Sequence, residues 1–162
     1  LDLAEATRLA PHNPVLRNEA ISLMLPAASA SMKEGSRQEA SDGFRAILEW
    51  NPDHFWANHY YVTLAMQAGQ SDFARQLLDR ALQRYPESGL LLAQRARMKA
   101  TFGDADGAIA DLRLACTLQS GDPALWKEFQ RMAEFVGRRD VAAEAERQAD
   151  RLLAAERGGW FR

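Results

Sequence analysis

Apolar and polar positions alternate along this chain with the period of an α-helix, and the pattern returns after a fixed interval. Between residues 71 and 84, Ala74, Leu77, Leu78, Ala81 and Leu82 fall on one side of a helical wheel, with charged and amide side chains opposite. Ala40, Phe44, Ile47 and Leu48 mark an equivalent stripe over about Arg37 to Trp50, and Ala108, Leu112 and Ala115 mark a third. A further amphipathic helix is expected from about Asp140 to Glu156, with Ala142 and Ala149 inward and Glu144, Arg147, Asp150 and Arg151 outward. Each stripe is preceded by a more uniformly apolar stretch and a glycine. Gly35, Gly69, Gly103 and Gly137 are 34 residues apart, as are Ala40, Ala74, Ala108 and Ala142, and Pro52 and Pro86. A 34-residue cycle of helix, glycine turn and helix predicts stacked helix pairs, in which each pair completes the core of its neighbour.

Taken in order, Leu1 to Leu9 reads as a helix with an apolar stripe, stopped by Pro11-His12-Asn13-Pro14. Pro14 suits the first turn of the next helix, where its missing N–H is one of the unpaired donors in any case. Val15, Leu16, Ala20, Ile21, Leu23 and Met24 are expected to form that helix's buried face. The interval from Pro14 to His54 is seven residues longer than the period, and the register slips around Pro26. The expectation there is an elongated first helix kinked at Pro26, with a helix break and a short loop as the alternative. The next cycle places Tyr61, Leu64 and Ala65 on the packing face, with Ser71 or Asp72 capping its second helix. The third carries Leu92, Ala96 and Cys116 inward, and has Lys99 at a packing position, where its stem can cover apolar surface while its amine reaches water. The fourth carries Trp126, Phe129 and Ala133. Trp160 lies 34 residues after Trp126, so Gly158 to Phe161 reads either as the start of a further unit or as a tail.

This arrangement resembles the tetratricopeptide repeat (TPR) family. The resemblance rests on the glycine–alanine–alanine frame over residues 14–156 and on Ala6-Thr7-Arg8-Leu9-Ala10-Pro11-His12-Asn13, which is similar to the end of that family's second helix. It implies an all-α fold, a right-handed superhelix of antiparallel helix pairs. The implied division is 1–13 as the second helix of a partial repeat, 14–54 as an elongated repeat, 55–88, 89–122 and 123–156 as further repeats, and 157–162 as a tail or new unit. Lys99 and Ser120 depart from the family pattern, which favours an aromatic and a proline at those places.

The resemblance also implies a function. TPR proteins hold an extended peptide or a partner's helix in the groove lined by the first helices. The groove-lining sites carry over to Trp56, His59, Thr63, Met66 and Gln67, then Leu90, Ala93, Arg97, Ala100 and Thr101, and then Ala124, Lys127, Arg131, Glu134 and Phe135. Arg97, Lys127 and Arg131 would then stand on adjacent first helices with His59 one repeat earlier, a set of cations suited to an acidic segment. The family's acidic-tail clamps use a comparable Lys/Asn/Arg set, but the only asparagines at equivalent places here are Asn18 and Asn58. Trp56 reads equally as an interface anchor or as a wedge between repeats near Trp50 and Phe55.

Composition changes this picture little. The chain has 162 residues, 47% of them hydrophobic and 26% charged, with a net charge of −2, an ordinary balance for a soluble protein and no call for nucleic acid as a partner. No apolar run is long enough for a membrane span, so a soluble protein of the cytoplasm or periplasm is expected, and the Ala/Arg/Leu-rich composition is compatible with a bacterial source. One cysteine forms no internal disulfide, and Cys116 beside Leu112 and Ala115 reads as a buried, inert thiol. His54, Asn58 and His59 cluster at a helix start but lack the cysteine or carboxylate that would complete a metal set. Asp72, Asp104, Asp106 and Asp140 read as helix-start residues rather than catalytic acids. No phosphate loop, nucleophile elbow or zinc-protease motif is present. The expectation is a non-catalytic protein-binding scaffold with no cofactor and no metal. The alternatives are a self-associating module, motivated by Leu1–Leu9 and Trp160-Phe161, and a regulatory or targeting arm of a larger enzyme or envelope-assembly protein, motivated by the start at Leu1.

Overall fold

A computed structural model describes residues 13–159 of the chain, and over these it is entirely helical. The helices are α1 (Pro14–Glu34), α2 (Arg37–Trp50), α3 (Phe55–Gln67), α4 (Ser71–Arg84), α5 (Gly89–Thr101), α6 (Ala105–Leu118), α7 (Pro123–Phe135) and α8 (Arg139–Gly159). They fall into two units, α1–α4 and α5–α8. Within each unit consecutive helices pack as pairs, α1 on α2, α3 on α4, α5 on α6 and α7 on α8. Linkers of two or three residues make each pair antiparallel. The expected helix at Leu1–Leu9 and the Trp160-Phe161 segment lie outside the described residues.

The repeat is written in the helix ends. First helices begin on Asn13, His54, Ser88 and Asp122, whose side chains accept from the backbone N–H groups of the opening turn: Val15 on Asn13 (2.9 Å), Ala57 on His54 Nδ1 (3.2 Å), Leu91 on Ser88 (3.3 Å) and Ala124 on Asp122 (2.8 Å). Each first helix closes through a bond five residues back, Ser36 to Ser31, Gln70 to Ala65, Asp104 to Lys99 and Arg138 to Ala133. That closure needs a left-handed residue, and Gly69, at φ 71°, supplies it at no steric cost, with the other three repeat glycines alike. Second helices start differently from the expectation. Ser71 and Asp72 lie inside the first turn of α4 rather than at its cap, where Asp72 favours the helix through its charge. At α6 the cap is Asp104, which accepts from Gly107 N at 2.8 Å.

Core side chains recur with the same period. Ala40, Ala74, Ala108 and Ala142 are all buried, as are Phe44, Leu78 and Leu112. Their small and large side chains alternate so that paired helices come close. At Gly43 a Cβ would stand 2.8 Å from Ala28 Cβ, the tightest such approach in the first pair to another side-chain carbon. Asn58, also buried, satisfies its amide by donating to the carbonyls of Pro52 (2.9 Å) and His54 (3.1 Å).

The long first repeat has a specific origin. α1 is one helix of 21 residues with Pro26 inside it, whereas α3 and α5 have 13. Met24 and Ala28 are buried like Asn58 and Val62 34 residues on, and Leu92 and Ala96 after that. The register therefore runs straight through Pro26, and the added two turns are Pro14 to Ala20. Pro26 is tolerated because it and Ser22, whose carbonyl loses its helical donor, both face solvent. Two expected core residues of α1 are also outside: Val15 and Leu23 are exposed, on the added turns and on the face opposite Met24 and Ala28.

Candidate functional site

In the second unit the sequence brings a basic face together on two first helices. α5 starts at the Ser88 cap and α7 at the Asp122 cap with Pro123 in its first turn, so both present the same positions side by side. Arg97 on α5 donates through Nε to Glu128 Oε1 at 2.7 Å, and Arg131 on α7 donates through Nη2 to Glu128 Oε2 at 2.7 Å. The Glu128 side chain is 15% exposed, against 46% for Arg97 and 72% for Arg131. Burial works against the charge on Glu128, but the hydrogen bonds and charges of Arg97 and Arg131 outweigh it and hold its carboxyl below the usual range. Beside this trio is a pocket of about 260 Å³ with Leu90, Ala93, Ala124 and Leu125 on its apolar floor and Gln119 and Asp122 at its rim. The pocket joins an apolar seat to two guanidinium groups whose outer edges face water, an arrangement suited to an apolar side chain with a carboxylate next to it.

Lys127 does not join this group. Its Nζ bonds to Asp150 on α8 at 3.0 Å and to Gln130 at 3.4 Å. The expectation of three cations acting together is corrected to two, because a carboxylate on the paired second helix offers Lys127 a better seat than two existing cations. Thr101 donates its hydroxyl back to the Arg97 carbonyl (2.9 Å), and Glu134 accepts from Gln130 (3.0 Å); both are exposed on the same helices. Phe135 is largely exposed at the end of α7.

The remaining candidates stand on α3 in the first unit. Trp56 is 47% exposed and packs edge-on to Phe55 (5.1 Å) and His59 (6.0 Å) and stacked on Tyr60 (6.0 Å), which in turn stacks on Phe44. Thr63 donates to the His59 carbonyl at 3.0 Å, and Gln67 is exposed one turn further on. This face carries rings and polar groups, with no Lys, Arg, Asp or Glu among Trp56, His59, Tyr60, Thr63 and Gln67. His54 and Asn58 serve the backbone as cap and bracket, and among the described residues no three His, Cys, Asp or Glu side chains are placed to share a metal ion. Cys116 is buried, and its thiol is pushed up to about 12, first by burial and then by Asp122.

Two features were missed at the sequence level. Glu128, which gathers the arginines, drew no notice. Lys99 does not reach for water: its amine meets Asp111 Oδ2 at 2.9 Å, and Arg95 grips the same carboxylate with two bonds of 2.8 Å. Asp111 is only 4% exposed, and the charged trio ties α5 to α6 where other repeats use apolar contacts.

A tetratricopeptide-repeat family model matches residues 31–98. No curated protein sequence matches the chain. Among solved structures, MamA (residues 41 to the end) from Desulfovibrio magneticus RS-1 is 16% identical, with 94% of this chain and 86% of that one covered at a TM-score of 0.68. Another crystal structure of MamA is also 16% identical, covering 97% of this chain and 92% of that one at 0.69. Pseudomonas aeruginosa pilF is 17% identical over 84% of this chain and 62% of its own, at 0.72. At such identities the likeness is one of fold. None of these helices is long and apolar enough, among the described residues, to cross a membrane. Four glycine-closed helix pairs in a 34-residue cycle, with the family match over 31–98, give the described residues a tetratricopeptide-repeat fold.

Proposed function

We propose that the chain is a non-catalytic scaffold built of repeats 14–54, 55–88, 89–122 and 123–156, which holds a peptide or helix of a partner protein along its first helices. The α5–α7 face takes an acidic segment of that partner. The repeats and the fold support a protein-interaction scaffold in general; the acidic preference is carried by one observation, the convergence of Arg97 and Arg131 beside an apolar-floored pocket. An apolar side chain of the partner enters over Leu90, Ala93, Ala124 and Leu125, and a neighbouring carboxylate meets the arginines. Each guanidinium carries five N–H donors and Glu128 engages one from each, so bidentate seats remain on the outward edges. Because those edges are in water, part of the attraction is screened charge and weakens with salt.

The test has two steps. Proteins captured from the source cell's lysate by wild type and by a folded Arg97→Glu/Arg131→Glu variant are compared, and the acidic segments of those lost by the variant are titrated as synthetic peptides. The expected result is an acidic peptide that binds wild type, binds the variant at least about tenfold more weakly, and weakens between about 0.05 and 0.5 M salt. Equal binding to both proteins would remove recognition from this face, and affinity indifferent to salt would remove the charge mechanism.

A further inference from the structure

Glu128 is the acidic residue at the centre of the basic face, where an acid is least expected. We infer that Glu128 is a positioning and specificity-determining residue that sets the charge preference of the α5–α7 face, so that the face does not favour a dianionic phosphate ester over a single carboxylate as two bare arginines would. The inference rests on the acidic-segment reading of the same face.

The geometry supplies the positioning half. Glu128 spends one oxygen on each arginine, at 2.7 Å in both cases, and reaches from α7 both along its own helix to Arg131 and across to Arg97 on α5. Its side chain is mostly buried while the two guanidinium groups remain open to solvent. Without the shared carboxylate, two like charges on long, rotamer-rich side chains turn apart into water. With it, they are held as a pair whose free edges point outward, and less ordering remains to be done when a ligand arrives.

Charge supplies the specificity half. Arg97, Arg131, Glu128 and Asp122, the ionisable residues lining the pocket, sum to no net charge, so the lining gives a dianion little Coulomb advantage over a monoanion. Without Glu128 a net positive charge remains in the lining and favours the dianion. Asp122 is committed to capping α7, where it accepts from Ala124 and Leu125. The Coulomb energy of a ligand at a fixed place is proportional to the ligand's charge. Removing the Glu128 charge therefore strengthens a monoanion by some factor and a dianion by that factor squared. For a unit charge about 6–8 Å away in water, across a guanidinium, the factor is about two to three.

The experiment reads the two arginines directly. Arginine Nε–Hε NMR resonances of Arg97 and Arg131, assigned by Arg→Lys variants, are followed during titration with acetate and with methyl phosphate. The titrations run at constant ionic strength and at pH 8, where the ester is dianionic. They are made on the full chain as wild type, Glu128→Gln and Glu128→Asp, each checked for fold by circular dichroism. In wild type acetate is expected to bind at least as well as methyl phosphate. In Glu128→Gln both tighten, and the ratio of their dissociation constants moves about two- to threefold towards the phosphate ester. Glu128→Asp keeps the charge and the wild-type order. A ratio that does not move in Glu128→Gln, with both anions still shifting the resonances, overturns the role of Glu128 and leaves the acidic-segment reading standing. If neither anion shifts either resonance in wild type, that reading fails and the inference with it.

Discussion

Replacing Asp111 by alanine tests how the basic face is supported. Asp111 accepts two bonds of 2.8 Å from Arg95 and one of 2.9 Å from Lys99, and is itself 4% exposed. Burial raises the cost of its charge, yet the bonds and charges of the two cations still hold its carboxyl below the usual range. Removing one partner of a fully buried ion pair costs about 3–5 kcal/mol, mostly by stranding the other charge. Here the stranded groups are not fully buried: the Arg95 and Lys99 side chains are 31% and 30% exposed, so each can partly turn to water. The loss expected for Asp111→Ala is therefore about 2–3 kcal/mol. A second variant separates ion pairing from packing. At the corresponding positions of the preceding repeat stand Leu77 and Ala65, both buried, and the half-buried Tyr61, so Asp111→Leu with Lys99→Ala and Arg95→Tyr rebuilds a seam already used in this chain without stranding a cation. It should recover stability to within about 1 kcal/mol of wild type. Urea unfolding followed by circular dichroism, with the slope of each transition compared, measures both. An Asp111→Ala variant within about 0.5 kcal/mol of wild type would refute the reasoning, as would a triple variant no better than the single one.

Two further outcomes follow from the first unit. His54 is held below its ordinary value of 6.5, first by burial, and must be neutral at Nδ1 to cap α3. Its contribution is therefore present above about pH 6.5 and is lost as pH falls towards the depressed folded value; His54→Asn should flatten that part of the stability–pH curve, measured by urea midpoints from pH 7.5 to 5. Gly43→Ala places a methyl 2.8 Å from Ala28 Cβ; overpacking outweighs the better helix propensity, and a net loss of about 1 kcal/mol is expected in thermal or urea unfolding, relieved when Ala28→Gly is added.

The helix pairs were legible because each depends on signals carried by single residues. A glycine every 34 positions marks a left-handed turn, and small residues such as Ala40, Ala74 and Ala108 mark close helix approach, whatever the rest of the chain does. The elongated first repeat was read less well. The expected elongated helix is there, but the register slip was placed at Pro26; the lost hydrogen bond of Pro26 faces water, the helix continues, and the extra residues sit two turns earlier. Val15 and Leu23 misled for a related reason: apolar identity alone does not say which face a residue occupies once the helix is longer than its partner.

Long charged side chains were the least legible, since each chooses among several oppositely charged neighbours that linear spacing within one helix does not reveal. Arg97, Lys127 and Arg131 occupy similar repeat positions, yet Lys127 turns to Asp150 while the arginines meet at Glu128. Still, the stacking of repeats gives the choice a rule. Within the second unit, repeats one period apart meet through side chains about 31 residues apart. Arg97 to Glu128 and Arg113 to Glu144 both span 31 residues, and Asp106 to Arg138 spans 32. In a chain of this period a cation and an acid 31 apart are the inter-repeat counterpart of an i, i + 3 pair on one helix. Scanning for that spacing would have found Glu128 from the position of Arg97 alone, and with it the device that turns two scattered arginines into one oriented face.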